Sequence, residues 1–145
     1  MTAFAQANPI TDICFLVADI ERASEFYVNR LGFIPRRRAP GFADFKGAGI
    51  TLALWEVAHI AENTGVSGRM APSGVHKACA AVLLPSMDAV DQTYAELMAA
   101  GVVFAGPPAN YSWNARCCYF ADPDDNLWEL YAWAPGGPVG DLEKA

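Results

Sequence analysis

The sequence repeats one pattern of strand and helix. The first copy begins at Asp12 with ICFLVA, continues through DIERASEFYVNRLG and ends with ITLALWEV. The second begins near Cys79 with AAVLL, continues through PSMDAVDQTYAELMAAG and ends with NLWELYAW. A shift of 67 residues aligns them and places Val17 on Leu84. Because two copies are too few for a solenoid, the repeat predicts a pseudo-symmetric domain whose two halves build one cavity.

Each copy contains one amphipathic helix with recognisable end signals. Asp19 and Ser86 stand where a helix N-cap accepts hydrogen bonds from the first backbone N–H groups. Gly32 and Gly101 stand where a glycine ends a helix. Two extra residues late in the second helix bring these two glycines into register. The pattern therefore predicts two βαβββ modules, each with one helix packed on a small sheet.

These modules predict an α+β fold in a single domain covering residues 1–145. The expected parts are module one at about 8–57, a linker at 58–73, module two at about 74–134 and a tail at 135–145. We expect the modules to form a cupped, barrel-like mixed sheet with the helices outside. His59 falls in the linker and is expected to be exposed. The tail has no period, so we expect it to be loosely ordered or to wrap a neighbour.

The amino-acid composition of the chain restricts what the protein can bind. Hydrophobic residues make up 53% of the chain and charged residues 18%, which indicates apolar surface in a lined cavity or a dimer interface as well as a core. The net charge of −6 argues against nucleic acid and anionic membranes. We expect no signal peptide, because MTAFAQANPI has neither a basic region nor a long apolar stretch, and no stretch of roughly 20 apolar residues could span a bilayer. The four cysteines lack Cys-x-x-Cys spacing. We therefore expect a cytoplasmic protein with reduced thiols. The hydrophobic surplus also agrees with a homodimer.

Strand alternation sorts side chains onto two faces of each sheet. The residues expected to meet the helices are Ile13, Phe15, Val17, Trp128 and Leu130. The residues expected on the open faces are Asp12, Cys14, Leu16, Glu129, Tyr131 and Trp133. Among the latter, Glu129 is a candidate general base or hydrogen-bond acceptor.

Aromatic residues predict what the cavity binds. Trp55, Trp113, Tyr131 and Trp133, with Phe42 and Phe45 in a connecting loop, would line a cup for an apolar or aromatic molecule. Ordinary packing in the core or a dimer interface is the alternative. The run Arg36, Arg37 and Arg38 is interpreted as a solvated strand edge that discourages aggregation, with an arginine that guides an anionic substrate as the alternative.

Two segments carry a family resemblance. VADIERASEFYVNRLGF and FADPDDNLWELYAW resemble the opening helix and the DPDG-type signature of the vicinal oxygen chelate superfamily, which includes glyoxalase I, bleomycin-resistance proteins and extradiol dioxygenases. The resemblance covers about residues 10–134. Trp113 lies where many members have a Trp-Gly pair but is followed by Asn114, and Asp125 replaces the usual turn glycine. Asp tolerates a positive φ better than most residues.

The resemblance implies a divalent metal held by the first and last strands of each half. The matching positions here are Asp12, Ala53, Cys79 and Glu129. Because Ala53 cannot coordinate a metal, we expect no cofactor and a protein that binds a small molecule through Asp12, Cys79, Glu129 and the tryptophan and tyrosine residues named above.

The alternative is an enzyme. A β-bulge near His76 would let Asp12, His76 and Glu129 form a facial triad for one Zn, Ni, Mn or Fe ion. The protein would then be a metal-dependent lyase, isomerase or dioxygenase.

Overall fold

The computed structural model describes residues 3–47 and 49–140 and is α+β, as the repeat predicts. Its helices are α1 (Phe4–Ala7), α2 (Ile20–Glu25) with a π-helical continuation (Phe26–Arg30), α3 (Val57–Thr64) and α4 (Met87–Ala99). Its strands are β1 (Asp12–Val17), β2 (Ile34–Ala39), β3 (Phe42–Lys46), β4 (Thr51–Glu56), β5 (Cys79–Leu83), β6 (Ala109–Tyr111), β7 (Ala115–Ala121) and β8 (Leu127–Trp133). The chain divides into two compact units between Ala71 and Pro72. The predicted continuation of the two sheets into one barrel-like cup stays a prediction.

The first unit is a four-stranded sheet in the order β1-β4-β3-β2 with α2 on one side. Strand β1 is parallel to β4, and the other pairs are antiparallel. Asp19 caps α2 as predicted, because its Oδ1 accepts hydrogen bonds from the backbone N–H groups of Glu21 and Arg22 at 2.9 and 3.0 Å. Tyr27 of the π-helical turn is fully buried and stacks on Phe45 with ring centroids 5.9 Å apart. This contact fixes the helix on the sheet.

The second unit repeats this plan in the order β5-β8-β7-β6. Ser86 caps α4 by accepting a hydrogen bond from the Ala89 N–H at 3.0 Å. Gly101 follows the helix with φ +91°, a conformation that glycine adopts without steric cost. Phe104 links α4 to the sheet through Tyr94 and Phe120, at centroid distances of 4.7 and 5.2 Å. The predicted caps and stop are therefore confirmed.

Strand register confirms the internal alignment residue by residue. Cys14 pairs with Ala53 in the first sheet, and Ala81 pairs with Glu129 in the second. Ala53 thus holds the position that Glu129 holds in the other unit. Its antiparallel neighbour is Asp44, whereas the neighbour of Glu129 is Tyr119. Each sheet therefore has one acidic side chain near its centre, but on a different strand.

The segment predicted as a linker is partly helical. Helix α3 occupies its first half and ends at Gly65, which has φ +75°. Alanine and glutamate in this stretch favour a helix, and the turn residues that indicated a loop begin only after it. His59 therefore lies on a helix and is half-buried, not exposed as predicted.

The tail begins in close contact with the second unit. The Asn114 side chain donates hydrogen bonds to the carbonyl oxygens of Ala134, Pro135 and Gly137 at 3.3, 3.1 and 2.9 Å. Asn114 has φ +62° and Asp125 has φ +66°, so both residues adopt the backbone that a glycine would normally supply. The start of the tail is thus held in place, and residues 141–145 lie outside the described part of the chain.

A transmembrane helix is not found in the described residues, since none of their helices has both the length and the hydropathy that a bilayer span requires.

Candidate functional site

The second sheet carries a face of polar and aromatic side chains opposite α4. In β8, Trp128, Leu130 and Ala132 are buried, while Glu129, Tyr131 and Trp133 between them are partly exposed. The alternation predicted from the sequence is confirmed, because successive strand residues point to opposite faces. We call this surface the Glu129 face and define it by Cys79, Tyr119, Glu129, Tyr131 and Trp133.

A tyrosine–carboxylate pair lies at the centre of the Glu129 face. Tyr119 is directly opposite Glu129 across β7 and β8, and its hydroxyl donates a short hydrogen bond to Glu129 Oε2. Burial, followed by this hydrogen bond, raises the pKa of Tyr119, so the hydroxyl keeps its proton. Among the contacts of the described residues, Glu129 Oε1 has no protein donor. A ligand with an N–H or O–H group could therefore donate to this oxygen.

Tyr119 was missed by reading the sequence. The alternation of ARCCYFA places it on the same face as Cys117, but the partner across the sheet depends on register. Register between strands is not visible in a single strand's pattern.

Two aromatic pairs flank the tyrosine–carboxylate pair. Tyr111 stacks on Trp113 with centroids 4.5 Å apart and planes at 14°, and Tyr111 also meets Tyr119 edge to face at 6.1 Å. Tyr131 and Trp133 contact each other at 5.4 Å. An open groove of about 420 Å³ runs beside Trp133, between it and Leu83, Leu84 and Pro85. Of the aromatic residues predicted in this half, Tyr131 and Trp133 share the strand and face of Glu129, and Trp113 stacks on Tyr111, which contacts Tyr119.

Cys79 belongs to this face but is unlike a nucleophile. Partial burial of its thiol, and then the negative charge of Glu129, raise the pKa of Cys79. In the first unit, burial raises the pKa of Cys14 to about 11, and the charge of Asp12 adds to the effect. Since the thiolate is the reactive form, neither side chain is set up for attack at neutral pH.

The first sheet carries its own polar face, opposite α2. We call it the Asp44 face and define it by Asp12, Cys14, Asp44, Ala53 and Trp55. Asp44 has no exposed surface, and its carboxylate accepts hydrogen bonds from Arg36 and Arg37. The arginine hydrogen bonds, led by those of Arg36, lower the pKa of Asp44 far below its ordinary value, although burial acts in the opposite direction. Strand β2 is the exposed edge of the sheet, as predicted for the arginine run, yet two of its arginines serve this buried carboxylate.

The aromatic residues predicted to line the cup in the first half do not lie on one face of the sheet. Phe42 and Phe45 lie on β3 and not in a loop. Phe45 is buried on the α2 side, so its predicted place in the cup is wrong, because it lies three positions from Phe42 along the strand and therefore points to the opposite face. Trp55 meets Phe42 edge to face at 6.2 Å, and its indole N–H donates to His59 Nδ1 at 2.9 Å.

The predicted metal ligands have other partners. His76 Nδ1 lies 2.7 Å from the Asp125 carbonyl oxygen, which ties the start of the second unit to the 122–126 turn. Asp12 accepts a hydrogen bond from the Thr11 hydroxyl at 2.6 Å. Within residues 3–47 and 49–140, no group of three or more His, Cys, Asp and Glu side chains is placed to hold a metal ion. The set of Asp12, His76 and Glu129 stays a prediction, and no chemical step is derived from it.

Comparison with known proteins shows which family shares this architecture. The family model described as Glyoxalase/Bleomycin resistance protein/Dioxygenase superfamily matches residues 9–130. Comparison with curated proteins gives no match.

Solved structures agree with the family model. A glyoxalase/bleomycin resistance protein/dioxygenase from Nocardioides is 44% identical, with a TM-score of 0.89 over 93% of this chain and 89% of that one. A glyoxalase-related enzyme from Fulvimarina pelagi is 26% identical, with a TM-score of 0.70 over 90% and 91%. A lactoylglutathione lyase from Agrobacterium tumefaciens, 17% identical with a TM-score of 0.69 over 90% and 97%, shares the fold. The chain therefore belongs to the Glyoxalase/Bleomycin resistance protein/Dioxygenase superfamily.

Proposed function

We propose that this protein binds a small aromatic molecule on the Glu129 face without a complete metal site. The observation that carries the proposal is the Tyr119–Glu129 hydrogen bond among aromatic rings. Small-molecule sites are mostly apolar with a few directed polar groups, and this face has that composition. Tyr119 occupies one carboxylate oxygen and so orients the other. The ligand class that suits this acceptor is an aromatic molecule with a cationic or neutral hydrogen-bond donor.

Benzylamine is a suitable probe because it combines a ring with a cationic donor. We expect a titration followed by amide NMR shifts to perturb residues around Glu129 and Tyr131. The Glu129→Gln variant should weaken binding about tenfold or more, since hydrogen bonds to charged groups contribute about 1.5–3 kcal/mol. Equal binding by the variant would contradict the proposal.

Tyr119 is a positioning residue in this scheme. Tyr119→Phe keeps the ring and removes the hydroxyl that orients Glu129, so benzylamine should bind more weakly while benzyl alcohol, a neutral ligand, is affected less. Tyr94→Phe on α4 is the matched control, because it loses the same hydroxyl away from the Glu129 face. A loss of the same size in both variants would show that Tyr119 has no special role.

A metal-dependent lyase, isomerase or dioxygenase is the competing function. Zn, Ni, Mn and Fe salts should leave the melting temperature of metal-free protein unchanged, because a ligand that binds only the folded state stabilises it. A stabilisation that disappears in Glu129→Gln would favour the metalloenzyme.

We also infer a homodimer, from exposed apolar residues on an edge strand of each unit. The edge strands β1 and β5 expose Leu16 and Leu83, at 44% and 56%, and apolar edge strands are commonly covered by a partner. Sedimentation equilibrium measures the mass directly. A monomer at micromolar concentration would contradict the dimer.

A further inference from the structure

Two consecutive arginines of β2 turn toward the same carboxylate. Neighbouring residues on a regular strand point to opposite faces. Here the register with β3 shifts between Pro35 and Arg37, and this bulge lets both Arg36 and Arg37 reach Asp44. Pro35 lacks the N–H group that a regular ladder would use, which favours the bulge at this point. Bulges commonly re-aim side chains beside functional sites.

The buried carboxylate fixes the geometry of both guanidinium groups. Arg36 donates to Asp44 through Nε at 3.1 Å and Nη2 at 2.6 Å. Arg37 donates through its backbone N–H at 3.0 Å and Nε at 2.8 Å, and its Nη2 forms an ion pair with Asp44 Oδ2 at 2.5 Å. The hydrogen bond with Asp44 raises the pKa of Arg36, so its charge is retained. One negative charge thus faces two positive charges, and each guanidinium has further N–H groups for another partner.

These unused donors are accessible. The Arg36 and Arg37 side chains are 40% and 65% exposed, while Asp44 is not exposed at all. An open groove of about 500 Å³ passes Arg37 and is also lined by Arg38, Ala39 and Phe42. Phe42 supplies an aromatic surface next to the positive charge. The planar guanidinium fork matches a carboxylate and holds it with paired hydrogen bonds.

We propose that Arg36 and Arg37, held by buried Asp44 on the Asp44 face, bind the carboxylate of a small aromatic acid whose ring contacts Phe42. All of these residues belong to the first unit. Asp12 acts against carboxylate binding, because its negative charge reaches Arg36. Anion affinity is therefore lower than it would be without the negative charge of Asp12.

Benzoate, acetate and benzamide separate the parts of this interaction when titrated into the full chain at low chloride and followed by amide NMR shifts. Benzoate should bind best and shift residues around Arg37 and Phe42, acetate should bind more weakly, and benzamide, which has the ring without the charge, should not bind. Equal shifts with acetate and benzoate would remove Phe42 from the proposal, and no shift with benzoate would overturn it.

Single substitutions test which residues contribute to benzoate binding. Arg37→Gln should weaken benzoate binding about tenfold or more. Arg30→Gln, which removes the same charge from the π-helical turn, should leave it unchanged. Asp12→Asn should tighten binding, and this variant keeps every hydrogen bond to Asp44, so it remains informative if Arg37→Gln is poorly folded. Weakening of the same size in Arg30→Gln and Arg37→Gln, or weaker binding in Asp12→Asn, would contradict the site.

The two proposed sites can be tested independently of each other. Glu129→Gln should not affect benzoate, and Arg37→Gln should not affect benzylamine. Loss of benzoate binding in Glu129→Gln would refute an independent site in the first unit.

Discussion

Replacing Asp44 with asparagine should destabilise the protein strongly. Among the described carboxylates that pair with an arginine, we expect the largest loss of stability at this one when the carboxylate is changed to an amide. The variant keeps the size of the side chain and removes its charge. Asp44 is fully buried and accepts four hydrogen bonds from Arg36 and Arg37, and Arg37 Nη2 also lies 2.5 Å from its Oδ2 in an ion pair. An asparagine amide group cannot accept through its nitrogen, so the donors aimed at Oδ2 would face an NH2 group.

The size of the effect follows from burial. Removing one partner of a fully buried ion pair costs about 3–5 kcal/mol. Here the arginine side chains are 40% and 65% exposed and recover hydration when the carboxylate is lost. We therefore expect a decrease of about 2–3 kcal/mol in the free energy of unfolding, below the range for a pair buried on both sides.

Urea denaturation followed by circular dichroism measures this difference. Asp91→Asn is the matched control, because Asp91 accepts a hydrogen bond from Arg116 Nε at 2.8 Å but is 48% exposed. Exposed ion pairs contribute roughly 0–1 kcal/mol, so the control should be nearly as stable as the parent. Equal destabilisation of the two variants, or a loss under about 1 kcal/mol in Asp44→Asn, would refute the argument from burial.

The same contact determines how stability depends on pH. The folded protein lowers the pKa of Asp44 below its ordinary 3.8, mainly through the hydrogen bond from Arg36. A depressed pKa contributes stability that is complete above the unfolded value and decreases as pH falls through and below it. The parent should therefore lose stability below about pH 4 more steeply than Asp44→Asn. Parallel curves would contradict the pKa assignment.

Three further predictions test local features. Asp19→Ala should destabilise by about 1 kcal/mol in urea melts because α2 loses its N-cap, and an unchanged midpoint would contradict the cap. Gly41→Ala should cost more than the roughly 1–2 kcal/mol of its positive φ, because the new Cβ would lie 2.7 Å from His59 Cβ. Gly32→Ala is its control, with φ +78° and open space around it, and equal losses would show that the contact is unimportant. Alkylation of Cys14, assigned by loss in Cys14→Ser, should still accelerate about tenfold per pH unit through pH 10, because burial raises its pKa to about 11. A plateau near pH 9 would contradict this.

Much of each unit was predictable because its signals are local. Asp19 and Ser86 cap their helices through atoms two or three residues away. The alternation around Glu129 in β8 separated buried from accessible side chains correctly. The helix α3 was missed because the glycines and serines that follow it dominated the interpretation of the whole segment.

The polar centres could not be predicted in full because they depend on partners across strands. Tyr119 and Glu129 are ten residues apart and meet only in one register of β7 and β8. Asp44 was not singled out at all, because nothing in its own strand shows that two arginines will reach it. The sequence placed the arginine run at a sheet edge, but it did not show which way the arginine side chains point.

The sequence by itself determined the duplication, the βαβββ order of each half, the helix ends and the accessible face that carries Glu129. It also determined that Ala53 takes the place of Glu129 in the first half, since the repeat aligns them and strand register agrees. Tertiary structure alone decided that a bulge turns Arg36 and Arg37 toward Asp44, and that Tyr119 occupies one oxygen of Glu129. The physical reason is that periodicity fixes which face a side chain occupies, whereas hydrogen-bond partners across a sheet depend on the register between strands.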